Sequence, residues 1–360
     1  MVFNEVEINN FRGIKHLLLP DLRQINLLVG KNNCGKSTVL DAIFLLSGFS
    51  NPVLNMRINQ FRDYSSFTEE DIALNFYKMQ TSNHIYIRGN INGKTIRELK
   101  ISPVVSQSKI VLSKDDISGV ALSNKETNIG SGLTMNFSYI SSNGDKLDDS
   151  ATITLRTSKR GKNEVEIKLP KEYEETLSTA YISSKYAFNI AVEQLTRIIE
   201  EKQDKVIVEI LQHIEPRIKS ITVLKSQINV DIGLDRLIPI NMLGDGIRKL
   251  LAIVTALYAC KDGAVFIDEI DNGLHFSSLS SLWKAIIKTA ELLNVQVFAT
   301  THNIESLQSL NNVLFEDEYA DSQNDIMCYS LRHMPTDELN AYKYPYEKFQ
   351  YVINQEIEIR

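Results

Sequence analysis

Residues 30–37 read Gly-Lys-Asn-Asn-Cys-Gly-Lys-Ser, which satisfies G-x-x-x-x-G-K-[ST] at every fixed position. That spacing suits the cradling of phosphates. Gly30 and Gly35 let the chain curl, so that the backbone N–H groups of Lys31, Asn32, Asn33 and Cys34 can turn inward. A helix opening at Lys36 adds the partial positive charge of its N-terminus. Lys36 is placed to reach the outer phosphates, Ser37 to offer a hydroxyl to Mg²⁺, and Thr38 to complete the first turn. Cys34 reads as a small filler. Far downstream, Ala264–Glu269 is an apolar run ending in two acids. Asp268 suits a divalent cation, held through water, and Glu269 suits orienting and deprotonating an attacking water. Alone, such a pair is equally a strand-end cap; beside a phosphate loop the catalytic reading is preferred. A third segment, Val-Gln-Val-Phe-Ala-Thr-Thr-His, ends in Thr300, Thr301 and His302. One ring nitrogen of His302 could bond a γ-phosphate or the attacking water.

These residues need elements that converge. Ile25–Val29 is a short apolar run expected as a buried strand, and Lys36–Leu46 has helical apolar spacing at Val39, Leu40, Ile43, Phe44 and Leu46. From residue 246 the pattern alternates. Ile247–Cys260 reads as helix, Gly263–Ile267 as buried strand, Leu279–Leu293 as helix and Val295–Thr300 as buried strand. That succession predicts a largely parallel sheet whose strand ends face one crevice. Val2–Asn10 alternates like a strand, with a turn at Phe11-Arg12-Gly13. The middle differs. Residues 83–168 are rich in Ile, Val, Thr and Ser, with turn signals at Asn92-Gly93, Ser118-Gly119, Asn143-Gly144 and Arg160-Gly161, and predict antiparallel hairpins. Residues 171–215 read as helical up to Pro216, and Ile221–Val230 as strand.

Composition sets the bounds. The chain has 360 residues, 43% apolar and 23% charged, as expected of an ordinary globular protein. No run of eighteen apolar residues occurs, and no basic segment followed by an apolar one opens the chain, so neither a membrane span nor a secretory signal is expected. Cys34, Cys260 and Cys328 are widely spaced, which argues against a disulfide framework or zinc site and for a reducing cytoplasm. A net charge of −6 removes the simplest electrostatic argument for nucleic-acid binding.

Phosphate loop, Ile-Asp-Glu-Ile-Asp-Asn-Gly-Leu-His and Phe-Ala-Thr-Thr-His, in that order, resemble an ABC-type ATPase head of the SMC, RecF and OLD-like group. The chain looks most like stand-alone OLD-like ATPases of bacterial defence loci. Met242–Leu251 sits where that group has its LSGGQ-like signature: Leu243, Gly246 and Arg248 agree, while Gly244, Asp245 and Ile247 depart from it. Asn10–Lys15 and the C-terminal residues 342–360 also resemble the group. The resemblance implies an α/β P-loop ATPase head, one domain over 1–360. Its nucleotide-binding core would be 1–50 and 220–360, with a β-rich lobe at 51–168 and a helical insertion at 169–219. It implies ATP and Mg²⁺ as ligands, and at least a dimer. Gly244, Asp245, Gly246 and Arg248 would then contact the nucleotide of a second subunit, and Asp271 would match the loop that crosses the dimer. Arg12 would touch nucleotide phosphates. A Mg²⁺-contacting glutamine is also implied, with Gln60, Gln80 and Gln107 as candidates. Neither a long coiled coil nor a Toprim-sized domain after His302 is expected, and the acids Glu316, Asp317, Glu318 and Asp321 read as a solvated turn.

Three functions compete. The first is an ATPase whose nucleotide state controls a separate effector, a nuclease or toxin, in antiviral defence. The second is a DNA-binding repair ATPase, for which Lys159, Arg160 and Lys162 are a small basic cluster. The third is a scaffold that binds ATP with negligible turnover.

Overall fold

The computed structural model describes residues 3–62, 64, 68–104, 132–157, 163–183, 188–334 and 338–359. The first half of the chain contains β1 (Phe3–Phe11), β2 (Ile14–Leu19), β3 (Ile25–Val29), α1 (Lys36–Ser47), α2 (Leu54–Gln60), α3 (Glu69–Ala73), β4 (Ile85–Ile91), β5 (Thr95–Pro103), β6 (Gly132–Ile140), β7 (Lys146–Thr157), β8 (Asn163–Lys168) and β9 (Thr179–Ile182). The second half contains α4 (Phe188–Glu200), α5 (Asp204–Gln212), β10 (Ser220–Leu224), β11 (Gln227–Asp231), β12 (Ile238–Pro239), α6 (Asp245–Ala259), β13 (Ala264–Ile267), α7 (Phe276–Leu293), β14 (Gln296–Thr301), α8 (Ile304–Phe315), β15 (Ile326–His333), β16 (Leu339–Pro345) and α9 (Tyr346–Asn354).

Among the described residues, β16-β15-β3-β14-β13-β9 form a six-stranded sheet, parallel except at the β16 edge. Its register aligns the strand ends: Thr301 lies opposite Val29, Ala299 opposite Ile267, and Ile267 opposite Ile182. The chain leaves these strands at Gly30, Asp268, His302 and Ser183 along a single edge, the crevice where open α/β sheets bind ligands. Both faces of the sheet are covered, so its strands are continuous apolar runs rather than alternating ones. Leu27, Val29, Val265, Ile267 and Val297 face the cluster built with α4 to α9. Leu28, Phe266, Phe298, Met327 and Tyr329 face α1 and the second sheet, with Phe266 and Phe298 stacked at 5.2 Å between centroids.

The second sheet, β2-β1-β4-β5-β6-β7-β8, is antiparallel. Asn92 and Gly93, both at positive φ, turn the chain in the three-residue connection that closes the β4–β5 hairpin. Gly144 does similar work between β6 and β7. The turn signals at 118–119 and 160–161 lie outside the described residues. Helix α1 is wedged between the two sheets, which is why Val39, Leu40, Ala42, Ile43, Phe44, Leu45 and Leu46 are all buried and its apolar surface runs all round.

The N-terminal strand belongs to the antiparallel sheet. Two expectations change. The helical reading of 171–215 holds from Phe188 onward, but Thr179–Ile182 is a strand that pairs in parallel with β13. The stretch assigned to a helical insertion therefore supplies an edge of the central sheet. Ile221–Val230 is a hairpin, turning at Lys225 and Ser226, both at positive φ. The longest helix among the described residues is α7, with 18 residues, so no long coiled coil is present among them. None of the described helices is long and apolar enough to cross a membrane.

Candidate functional site

The phosphate loop leaves β3 at Gly30, whose φ is +153°. A Cβ there would lie 2.5 Å from Cys34 Sγ and 2.7 Å from the Leu331 carbonyl oxygen, so the position admits only glycine. Gly35, at φ +96°, caps α1, and the first turn of that helix has neither a side-chain cap nor an acid. Its N–H groups are therefore left to an anion. Lys31, Asn32 and Asn33 are exposed, and Cys34 is buried. Lys36 Nζ arches over the loop and donates to the carbonyls of Gly30 and Lys31 at 2.8 and 2.9 Å. The cavity beside this loop is about 390 Å³ and is lined by Asn32, Lys36, Ser37, Thr38, Arg62 and Glu269, among others.

The acidic strand end meets the loop from 231 residues away. Ser37 Oγ donates to Asp268 Oδ1 at 2.8 Å, and Thr300 Oγ1 donates to the same oxygen at 2.7 Å. Thr300 Oγ1 in turn accepts the Glu269 N–H at 2.8 Å, so one hydroxyl ties both acids to β14. A serine hydroxyl beside a carboxylate is the hard-oxygen donor set that suits a small divalent cation, so Ser37 and Asp268 fit Mg²⁺. Glu269 adopts φ +51°, a left-handed conformation rare for a side-chain-bearing residue and found at functional sites. Asn272 Nδ2 donates to Glu269 Oε2 at 3.2 Å. His302 is half-buried, immediately after β14, and does not line the cavity.

Other expected residues lie outside this cavity. Gly244, at φ +95°, and Asp245 are exposed at the start of α6, and Arg248 pairs with Asp245 at 2.9 Å. Gly246 follows on the same turn. None of the four lines the cavity formed by the loop of their own chain. Asp271 is buried, and its Oδ1 has no hydrogen-bond partner among the described residues. Gln60 bonds Arg57 and Gln80 bonds Asn83, and neither borders the cavity; Gln107 and the basic cluster Lys159, Arg160 and Lys162 lie outside the described residues. The residue that follows β9, next to the Asp268 strand, is the buried Ser183. Reading 171–215 as helix hid it.

Arg12 is engaged elsewhere. Its guanidinium donates to Asp41 Oδ2 and, at 2.8 Å, to Asn59 Oδ1. Asp41 is fully buried on α1, one turn beyond Ser37, and also accepts from Arg62 Nη2 at 2.6 Å and the Tyr181 hydroxyl at 2.9 Å. Burial, and after it the Asp41 charge, hold the Tyr181 hydroxyl well above its usual value, so it stays a donor. Arg62, not Arg12, reaches the cavity of the phosphate loop. No motif marks Arg62. The available signal was Asp41, since a carboxylate on an otherwise apolar helix requires a buried cation.

Residues 114–307, more than half of the chain, match the AAA_21 family profile, described as AAA domain, putative AbiEii toxin, Type IV TA system. The chain belongs to the AAA_21 family. Residues 1–85 of this AAA_21 chain also match a family of unknown function, DUF2813. An "ATP/GTP phosphatase" of Helicobacter pylori is 26% identical over 352 residues, covering 91% of this chain and 92% of that protein. The DNA replication and repair protein RecF of Francisella tularensis subsp. novicida is 29% identical over 93 residues, 24% of this chain and 27% of that one. A solved SMC head, bound to the C-winged helix domain of ScpA, superposes with a TM-score of 0.50 at 12% identity, covering 97% of this chain and 99% of that one. This AAA_21 protein is an ATPase with the fold of an SMC head, a P-loop α/β core beside a large antiparallel sheet.

Proposed function

We propose that this chain binds and hydrolyses Mg²⁺-ATP, and that two copies close over the nucleotide to control a separate effector. The observation that carries this reading is the hydrogen bond between Ser37 and Asp268, which joins the phosphate loop to the acidic strand end. The loop N–H groups and Lys36 bind the triphosphate, and Ser37 and Asp268 hold Mg²⁺. The metal supplies charge neutralisation at the phosphate oxygens. Glu269 accepts a proton from water aligned with the γ-phosphate, and Thr300 keeps its backbone in place. His302 orients the same water or the γ-phosphate. Arg62, held by Asp41, brings positive charge to the phosphates.

In this reading Gly244, Asp245, Gly246 and Arg248 contact the nucleotide of the partner subunit, with Asp271 near the same junction; the exposure of Gly244 and Asp245, away from the loop of their own chain, supports it. Binding is then assembly, and hydrolysis times release. The family description names a putative toxin system. This supports an effector of toxin or nuclease type, in an OLD-like phage-defence role within the cytoplasm. Phosphate release measured on the wild type, Lys36→Ala and Glu269→Gln tests the reading. Lys36→Ala is expected to lose ATP binding. Glu269→Gln is expected to bind ATP, accumulate as an ATP-bound dimer, and turn over roughly a hundredfold slower. A wild type without turnover, or a Glu269→Gln variant at the wild-type rate, overturns it.

The partial similarity to RecF favours a second reading, direct DNA binding. Retention on duplex DNA that falls steeply with salt would support it; no retention at low salt would dismiss it.

A further inference from the structure

Lys249 is 8% exposed on α6, an unusual depth for an ammonium. Burying such a charge is unfavourable unless its donors are used. Lys249 Nζ donates to the carbonyl of Glu269 and, at 2.9 Å, to that of Asn272. Those two carbonyls bracket the turn that carries the catalytic acid. On the opposite side, the Glu269 N–H is fixed by Thr300 at 2.8 Å, and its carboxylate by Asn272 at 3.2 Å. The turn includes Glu269 at φ +51°, a conformation that needs external support. The charges facing the ammonium are those of Glu269, Asp268 and Asp271, one of which, Asp271, is buried with an unpartnered Oδ1. Lys249 also follows Arg248 directly, so its helical turn bears the signature residues.

We infer that Lys249 is a positioning residue that fastens the Glu269–Asn272 turn to the signature helix, so that a shift of α6 is transmitted to the catalytic acid of the same subunit. This rests on the reading of Glu269 as the general base. A methionine of similar length would fill the space but leave two carbonyls without their donor, loosening the aim of Glu269 without removing any phosphate contact.

The test compares wild type, Lys249→Met and Lys249→Ala, each checked for an unchanged far-UV spectrum and cooperative urea unfolding. Lys249→Met is expected to lower kcat on the order of ten- to a hundredfold, the scale for a slightly misplaced catalytic group, with KM for ATP within about twofold of wild type. Ethylammonium or propylammonium chloride is expected to restore turnover to Lys249→Ala in a saturable way, with potassium chloride at equal ionic strength giving no restoration. Two results overturn the inference: a Lys249→Met kcat equal to wild type, or parallel loss of kcat and ATP affinity without alkylammonium rescue. If the wild type itself releases no phosphate, the proposed hydrolysis fails; if the wild type turns over and Lys249→Met matches it, only the positioning role fails.

Discussion

Asp268 and Lys249 differ in how they hold the site together. Asp268 collects two hydroxyl donors through one oxygen, so its geometry is defined by side chains. Lys249 grips backbone, and burial pushes its ammonium down from 10.5 to about 8, with Asp271, Glu269 and Asp268 opposing the shift. The consequence for pH has a definite sign. Between about 8 and 10.5 the folded chain binds fewer protons at this position than the unfolded chain, so stability rises with pH across that window and gains nothing below it. Deprotonation removes one N–H donor and the charge from the grip on the Glu269 turn over the same window. Turnover of wild type is therefore expected to fall above pH 8 while the urea midpoint of wild type rises relative to that of Lys249→Met. A pH–rate profile paired with unfolding at matched pH checks this; a rate that climbs steadily to pH 10 would contradict it.

At the scale of elements, the site is a set of strand ends. β3 and β14 stop in register and β13 two residues earlier, and each hands over to a residue type that could be read in advance: glycine, threonine–histidine and acidic pair. Long apolar runs bounded by such residues are legible because buried parallel strands tolerate little else. β9 was not legible. Thr-Ala-Tyr-Ile is four residues long, without glycine or proline beside it, and is a strand because β13 offers an edge. The phosphate loop makes the sharpest prediction here. Gly30→Ala is expected to abolish ATP binding and to destabilise the fold by about 1–3 kcal/mol, because the added carbon meets Cys34 Sγ at 2.5 Å and backbone at Leu331 at 2.7 Å. Titration with ATP and denaturant unfolding measure the two effects; an alanine variant that still binds ATP would refute the loop geometry.

For the whole molecule, two apolar clusters flank the central sheet and hold loops from distant parts of the chain against one crevice. The signature turn stays outside that crevice, next to Met242, which is 76% exposed. A dimer with sites shared between subunits predicts complementation. Lys36→Ala loses its own loop but keeps its signature, and Arg248→Glu keeps its loop but repels the partner's nucleotide. Mixed in equal amounts, half of the dimers are mixed and one of their two sites is intact, so about a quarter of wild-type activity should return. Each variant alone should be inactive, and no recovery on mixing would argue for sites contained in one chain.

The sequence by itself determined the parts of the candidate site. Phosphate loop, acidic pair and strand-end threonine are local patterns, because a strand, a turn and a helix N-terminus within a few residues suffice to define them. Only the tertiary structure decided which residues surround them. Asp41, Arg12, Arg62 and Tyr181 form one buried network from four elements and loops, and Lys249 reaches Glu269 from a different helix. Charges buried this deeply are stable only when partnered, and partners that close a site across long chain separations carry no spacing that a sequence pattern could record.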